Sequence, residues 1–271
     1  MSASRVTRIA PTPSGFLHLG NAVNFTLISL LASQWDAETV LHIDDMDSSR
    51  SRPEYVDDIF ATLEWLEIPW TRGPRERAEF ERDFTMSTRT EYYRSQLDLL
   101  QKSDLEVFAC ACSRADLAAT GGMRCTGGCR TAGLELIAEQ TAMRMRIPEG
   151  TFIEMDGESI DLAKAHGDVV LWRRDDLPAY HLVTVIEDRD LGVTDIVRGV
   201  DLLDSSALHT WLAPHLNAVN VAEATFIHHA LVTDAGGLKL SKSQSAPDLR
   251  ERTPELLELI RSRAAALLPS P

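Results

Sequence analysis

The sequence predicts an α/β protein in which a parallel sheet with helical crossovers is interrupted by an insertion. Strand-like and helix-like patterns alternate through the N-terminal third, the order produced by parallel strands joined through helices. A loop with two prolines, two glycines and a histidine, "RIAPTPSGFLHLGN", lies between the first strand and the first helix. All four cysteines then fall in one window, where the alternation stops.

In order, "RVTRIAP" reads as a short buried strand and "AVNFTLISLLASQ" has apolar residues at helical spacing. The Pro/Gly segment between them is therefore a strand-to-helix loop. "TVLHID" is a second strand. "PEYVDDIFATLEWLEI" is an amphipathic helix with Pro53 in its first turn, where a missing N–H costs nothing. A further helix covers "TEYYRSQLDLLQK". From 105 to 167, Gly-rich turns and short strands such as "AMRMRI" mark the insertion. The α/β pattern resumes with "DVVLWRR", "AYHLVTVIED" and "VTDIVRG", followed by a helix at "SSALHTWLAPHL" and a strand at "FIHHALVTD". A closing helix starts behind Thr253 as N-cap, with Pro254 at its first position. We expect one sheet domain in two halves, 1–104 and 168–271, around an inserted subdomain at 105–167.

With 271 residues, 44% of them hydrophobic, the chain can bury a full core. No stretch approaches the roughly 20 apolar residues of a membrane span, and no basic segment leads into an apolar one at the N-terminus. We expect a cytoplasmic, membrane-free monomer. A net charge of −14 speaks against broad adhesion to nucleic acid, leaving room for a local basic groove only.

Three segments point to chemistry. In "PSGFLHLGN" the glycines admit a ligand close to the backbone, and the helix starting near Gly20 aims its unpaired N–H groups into the loop. This suits a phosphate, with His18 placed to donate to a phosphoryl oxygen. "KLSKS", with Lys239, Ser241 and Lys242, sets positive charge in a Gly-flanked loop, as a polyphosphate requires. Cys110, Cys112, Cys125 and Cys129 run C-x-C-x12-C-x3-C, and four thiolates complete a tetrahedral zinc site. Four protein ligands close the position, so the ion's role there is structural. His228 and His229, within an apolar run, read as satisfied core or strand-end residues, and Trp65, Trp70, Trp172 and Trp211 as core.

The paired "HLGN" and "KLSKS" resemble the two signature motifs of class I aminoacyl-tRNA synthetases. "LHIDDMDSSRSRPEYVDDIFATLEWL" and "LPAYHLVTVIEDRDLGVTDIVRGVDLLDSS" extend the resemblance to the glutamyl branch. The chain stops 28 residues after Ser243, and this, with "VRGVDLLDSS" and the cysteines, is similar to the truncated glutamyl-queuosine tRNA(Asp) synthetases, which have no anticodon-binding domain. The resemblance implies a Rossmann-type catalytic sheet with a zinc-bearing α+β insertion. It implies activation of L-glutamate by ATP and Mg²⁺ without tRNA, then transfer to the cyclopentenediol of queuosine in the anticodon loop of tRNA(Asp). It further implies His18 and Lys242 as catalytic groups, and ATP contacts from His18, Gly20, Asn21, Lys239, Ser241 and Lys242. The amino-acid site falls on Arg8, Ala10, Thr12, Asp44, Tyr180 and Arg198.

Two arginines suit the carboxylates of glutamate, while an acid and a tyrosine suit its amino group. The sequence departs from the family in "LHIDDMD", where Arg-Ile-Glu-Asp is typical: His42 replaces the arginine, and Asp44 is one methylene shorter than the glutamate. Two other readings stay open, a ligase of the same fold with a non-tRNA acceptor and a non-catalytic ATP or amino-acid binding module.

Overall fold

The computed structural model describes residues 4–47, 49–118, 124–125, 128–232 and 248–269. In chain order its main elements are β1 (Val6–Ile9), α1 (Leu19–Trp35), β2 (Glu38–Leu41), α2 (Pro53–Trp65), α3 (Thr90–Gln101), β3 (Val107–Cys110), β4 (Ala142–Arg146), β5 (Phe152–Met155), β6 (Glu158–Asp161), β7 (Asp168–Trp172), α4 (Tyr180–Asp190), β8 (Asp195–Gly199), α5 (Leu203–Leu212), β9 (Thr225–His229) and α6 (Pro254–Ala266). They form two compact units. The first comprises Met1–Thr88, Val193–Leu202 and Ala224–Pro271, and the second Arg89–Gly192 and Leu203–Glu223.

In the first unit β1 pairs with β2 and β8 with β9, both in parallel. Val6 and Thr194 join the two pairs: the Thr194 N–H donates to the Val6 carbonyl at 2.9 Å, and the Val6 N–H donates to Thr194 Oγ1 at 2.9 Å. The strand order is therefore β2, β1, β8, β9, and its direction of progression reverses between β1 and β8. All of β1 is buried, which is why it reads as one unbroken run instead of alternating. Helix α1 buries residues around most of its circumference, among them Leu19, Val23, Phe25, Leu27 and Ile28, and so lies inside the unit. It packs against α6, where Ile260 joins Ile9, Leu27, Ile59 and Leu63 in one fully buried core. The predicted cap of α6 is present: the Leu256 N–H donates to Thr253 Oγ1 at 3.2 Å, with Pro254 at the first position.

The second unit holds an antiparallel sheet in the order β3, β4, β7, the hairpin β5–β6, and helices α3, α4 and α5. Here the structure differs from the expected division. "DVVLWRR" pairs antiparallel with β4, and "YHLVTVIED" is helix α4, so the parallel sheet resumes only at β8. The compact unit thus reaches past 167 to Gly192 and begins at Arg89. A run such as Val169–Trp172, with Leu171 and Trp172 fully buried, looks the same in a buried parallel or antiparallel strand; only the distant partner decides. Among the described residues no helix is long and apolar enough to cross a membrane.

Candidate nucleotide site and metal centre

In open parallel sheets, ligands bind beyond the carboxyl ends of the strands where the strand order reverses. At that place in the first unit lies a cavity of about 220 Å³, lined by His18, Gly20, Asn24, Gly199, Asp201 and His229 among others. His18 is the N-cap of α1. The Asn21 N–H donates to His18 Nδ1 at 3.2 Å, and the His18 N–H donates to Asn21 Oδ1 at 3.1 Å, a reciprocal capping box. Because Nδ1 accepts, the proton of the neutral ring sits on Nε2, which is thereby a donor. Asn21, expected as a nucleotide contact, lines the cavity and also holds His18 in this tautomer.

Close approach governs two glycines here. A Cβ at Gly20 would stand 3.0 Å from His18 Cε1 and crowd the ring, and one at Gly199 would stand 2.5 Å from Asp201 Oδ1. The loop before His18 is tied down from outside: the Leu17 N–H donates to Asp58 Oδ2 at 3.1 Å, and Arg252 donates to Asp58 Oδ1 at 2.8 Å. The buried Asp58 on α2 thus couples the first loop to the segment that follows "KLSKS". Lys239, Ser241 and Lys242 lie outside the described residues.

Of the amino-acid set, Arg8, Ala10, Thr12, Asp44 and Arg198 belong to the first unit and Tyr180 to the second. Arg8 and Arg198 are buried in β1 and β8. Past β2, the His42 N–H donates to Ile9 and the Asp44 N–H to Pro11, each at 2.9 Å, which sets Asp44 beside the loop carrying Ala10 and Thr12. Burial raises the Asp44 carboxyl above the usual range, while the Met46 N–H and the charge of Arg8 oppose the rise. The neighbouring Asp45 is also raised by burial, and its Oδ1 accepts from the Met86 N–H at 2.8 Å. Tyr180 opens α4, is 44% exposed, and faces the ring of His209 at 5.5 Å between centroids.

The cysteines converge in the second unit. A tetrahedral ion with Zn–S bonds of about 2.3 Å requires sulfurs about 3.8 Å apart. Cys112 Sγ lies 3.5 Å from Cys125 Sγ and 3.6 Å from Cys129 Sγ, and all four sulfurs fall within 4.8 Å of one another. The donor set and its spacing fit zinc. Burial pushes the Cys110 thiol up to about 12, a cost that a dication reverses by favouring the thiolate. The loop is braced by Asp168 of β7: its carboxylate accepts from the Cys125 N–H at 2.6 Å and from Arg130, next to Cys129, at 2.9 and 3.0 Å.

Sequence reasoning did not single out Asn24, His229 as a cavity residue, Gly199, Asp201, or the Asp168–Arg130 brace. Asn24 had a readable signal, since it follows Gly20 by four residues and shares its helical face. The others are brought in by strand ends and pairings remote in sequence.

Over residues 5–122 and 132–251 the chain matches the family described as class I tRNA synthetases (E and Q), catalytic domain. It is 38% identical, over 95% of its length and 84% of the relative's, to a glutamyl-Q tRNA(Asp) synthetase of Pseudomonas syringae pv. tomato. With one of the same name from Methylococcus capsulatus it shares 36% identity over 91% of this chain and 78% of that one. Among solved structures, a glutamate–tRNA synthetase of Elizabethkingia anophelis superposes with a TM-score of 0.71 at 22% identity, over 92% of this chain. The chain spans about half of that longer protein, 53%.

Proposed function

The chain belongs to the class I tRNA synthetase family for glutamate and glutamine, among relatives named glutamyl-Q tRNA(Asp) synthetase, and we propose that it is a glutamate-activating ligase. In the first step a carboxylate oxygen of glutamate attacks the α-phosphorus of ATP in line. The α–β anhydride bond breaks, pyrophosphate leaves, and glutamyl-adenylate forms. In the second, a hydroxyl of the queuosine cyclopentenediol in tRNA(Asp) attacks the glutamyl carbonyl. AMP leaves, the hydroxyl proton passes to solvent, and an ester results.

No enzyme nucleophile is needed, so the residues act by positioning and by charge. His18 Nε2–H and the first N–H groups of α1 stabilise charge on the phosphoryl oxygens, and Gly20 keeps the approach open. Lys239, Ser241 and Lys242 hold the departing pyrophosphate. Mg²⁺, carried by ATP, neutralises phosphate charge. Arg8 and Arg198 grip the carboxylates of glutamate, Asp44 meets its amino group, and Ala10 and Thr12 shape the loop against it. Cys110, Cys112, Cys125 and Cys129 would hold a zinc ion, which would fix the second unit's loop structurally.

The observation that carries this reading is the His18-capped helix opening on a cavity at the point where the strand order reverses. Its test is ATP–pyrophosphate exchange across the standard amino acids with no tRNA present, followed by transfer of labelled glutamate to tRNA(Asp) with and without queuosine. We expect exchange with glutamate alone and transfer only to the queuosine-bearing tRNA. Exchange with another amino acid overturns the substrate and turns attention to Asp44; glutamate exchange without transfer overturns the acceptor.

A further inference from the structure

Arg8 and Arg198 share one face of the first unit's sheet. Ile9 and Val197 belong to the core that α1 enters, and Ile227 packs against the same core. Side chains alternate along a strand, so Arg8, Arg198 and, on β9, Phe226 and His228 stand on the opposite face. The register agrees, pairing Val197 with Ile227 and Arg198 with His228. Arg198 is 5% exposed, and a long side chain ending in a buried charge has to be held in one direction if it is to meet a ligand.

An aromatic face does this. Cζ of Arg198 lies 5.4 Å from the centroid of the half-buried Phe226 ring, on the neighbouring strand. Within about 6 Å a guanidinium is attracted by the ring quadrupole, more strongly where water is excluded. The Phe226 ring is in turn parallel to that of His228, with 2° between planes and 6.0 Å between centroids, so the face that Arg198 meets is itself braced. A carboxylate in the place of Phe226 would hold the guanidinium more firmly, but it would neutralise the charge and compete with a ligand's carboxylate for the N–H fork. A ring carries no net charge and leaves that of Arg198 to the ligand.

We propose that Phe226, braced by His228, is a positioning residue that directs Arg198 toward a carboxylate of the amino acid. The inference rests on reading Arg198 as a carboxylate-binding residue, and Phe226 acts through it.

The test is calorimetric binding of L-glutamate and of ATP, each to the full chain, with a thermal midpoint recorded for every variant. Phe226→Leu keeps an apolar side chain and removes the ring face. It is expected to weaken glutamate binding about tenfold, while ATP binding and the midpoint stay close to those of the unaltered protein. Phe226→Tyr, which keeps the ring, should restore glutamate binding, and His228→Leu should weaken it by a smaller factor. In an Arg198→Ala background Phe226→Leu should have no further effect, because a residue acting through Arg198 has nothing left to act on. Weakening of both ligands alike, failure of Phe226→Tyr to restore, or an additive effect in the Arg198→Ala background assigns Phe226 to packing and overturns the proposal. Glutamate binding that Arg198→Ala weakens and Phe226→Leu does not overturns it while leaving the ligase reading in place. Glutamate binding unmoved by Arg198→Ala overturns the reading of the amino-acid site, and the proposal with it.

Discussion

At the scale of single residues, Asp44 shows what burying a carboxyl does to stability. Burial lifts its folded-state pKa above the unfolded value. The folded chain therefore favours the protonated form. The stability from this group is fully present below the unfolded pKa, about 3.9, and is lost as pH rises through the folded one. Asp44→Asn is accordingly expected to raise the thermal midpoint at pH 7, with the gain vanishing as pH falls toward 4. A melting series against pH checks this; a midpoint lowered at pH 7 would count against burial as the dominant effect. If Asp44 meets the amino group of the substrate, the same variant loses exchange activity by roughly 100-fold as the substrate's position slips. A more stable and less active protein would separate the two roles, which a residue serving only to pack the loop would not do.

At the scale of elements, two ties hold otherwise irregular segments. Asp58 receives the Leu17 N–H on one oxygen and Arg252 on the other. Asp58→Ala leaves a buried donor and a partly buried guanidinium unmatched, with an expected cost of about 3 kcal/mol in denaturant unfolding. Nucleotide affinity should fall with it, because the loop before His18 loses its anchor. Asp168 performs the corresponding task for the cysteine loop through the Cys125 N–H and Arg130. The protein is expected to contain one zinc per chain by elemental analysis. Asp168→Ala should release that zinc at chelator concentrations the unaltered protein resists, by about tenfold. Equal retention would reduce Asp168 to a strand residue with no bearing on the metal. Helix α1 makes a related point. Its N-terminus is closed by His18 and Asn21 acting on each other, so a residue pair readable as a ligand contact is at the same time the cap that starts the helix.

At the scale of the whole molecule, the cavity and the cysteine centre belong to different compact units. Removing the metal with a chelator should expose the second unit to proteolysis between 105 and 167 while ATP binding by the first unit persists; simultaneous loss of both would show that the two unfold together. Much of this arrangement was legible in the chain. Local spacing predicted α1 and α2, and α6 with its Thr253 cap, because helical periodicity and N-terminal signals are properties of neighbouring residues. The four cysteines, clustered in sequence, announced a metal site whose sulfurs the fold indeed brings together. The loop "PSGFLHLGN" announced the helix start that borders the cavity. Not legible was the side to which "DVVLWRR" belongs, since an apolar run carries no mark of its partner and pairing with β4 is decided across more than twenty residues. Nor could spacing bring His229 to Asn24, which lie 205 positions apart, or Asp168 to Arg130. The sequence by itself determined most of the helices and strands, the clustering of the cysteines and the loop that opens α1, because each is written in residues close together along the chain. Only the tertiary structure decided which strands pair, where the strand order reverses and which polar groups meet in the cavity, because those contacts form when distant segments are packed and desolvated together.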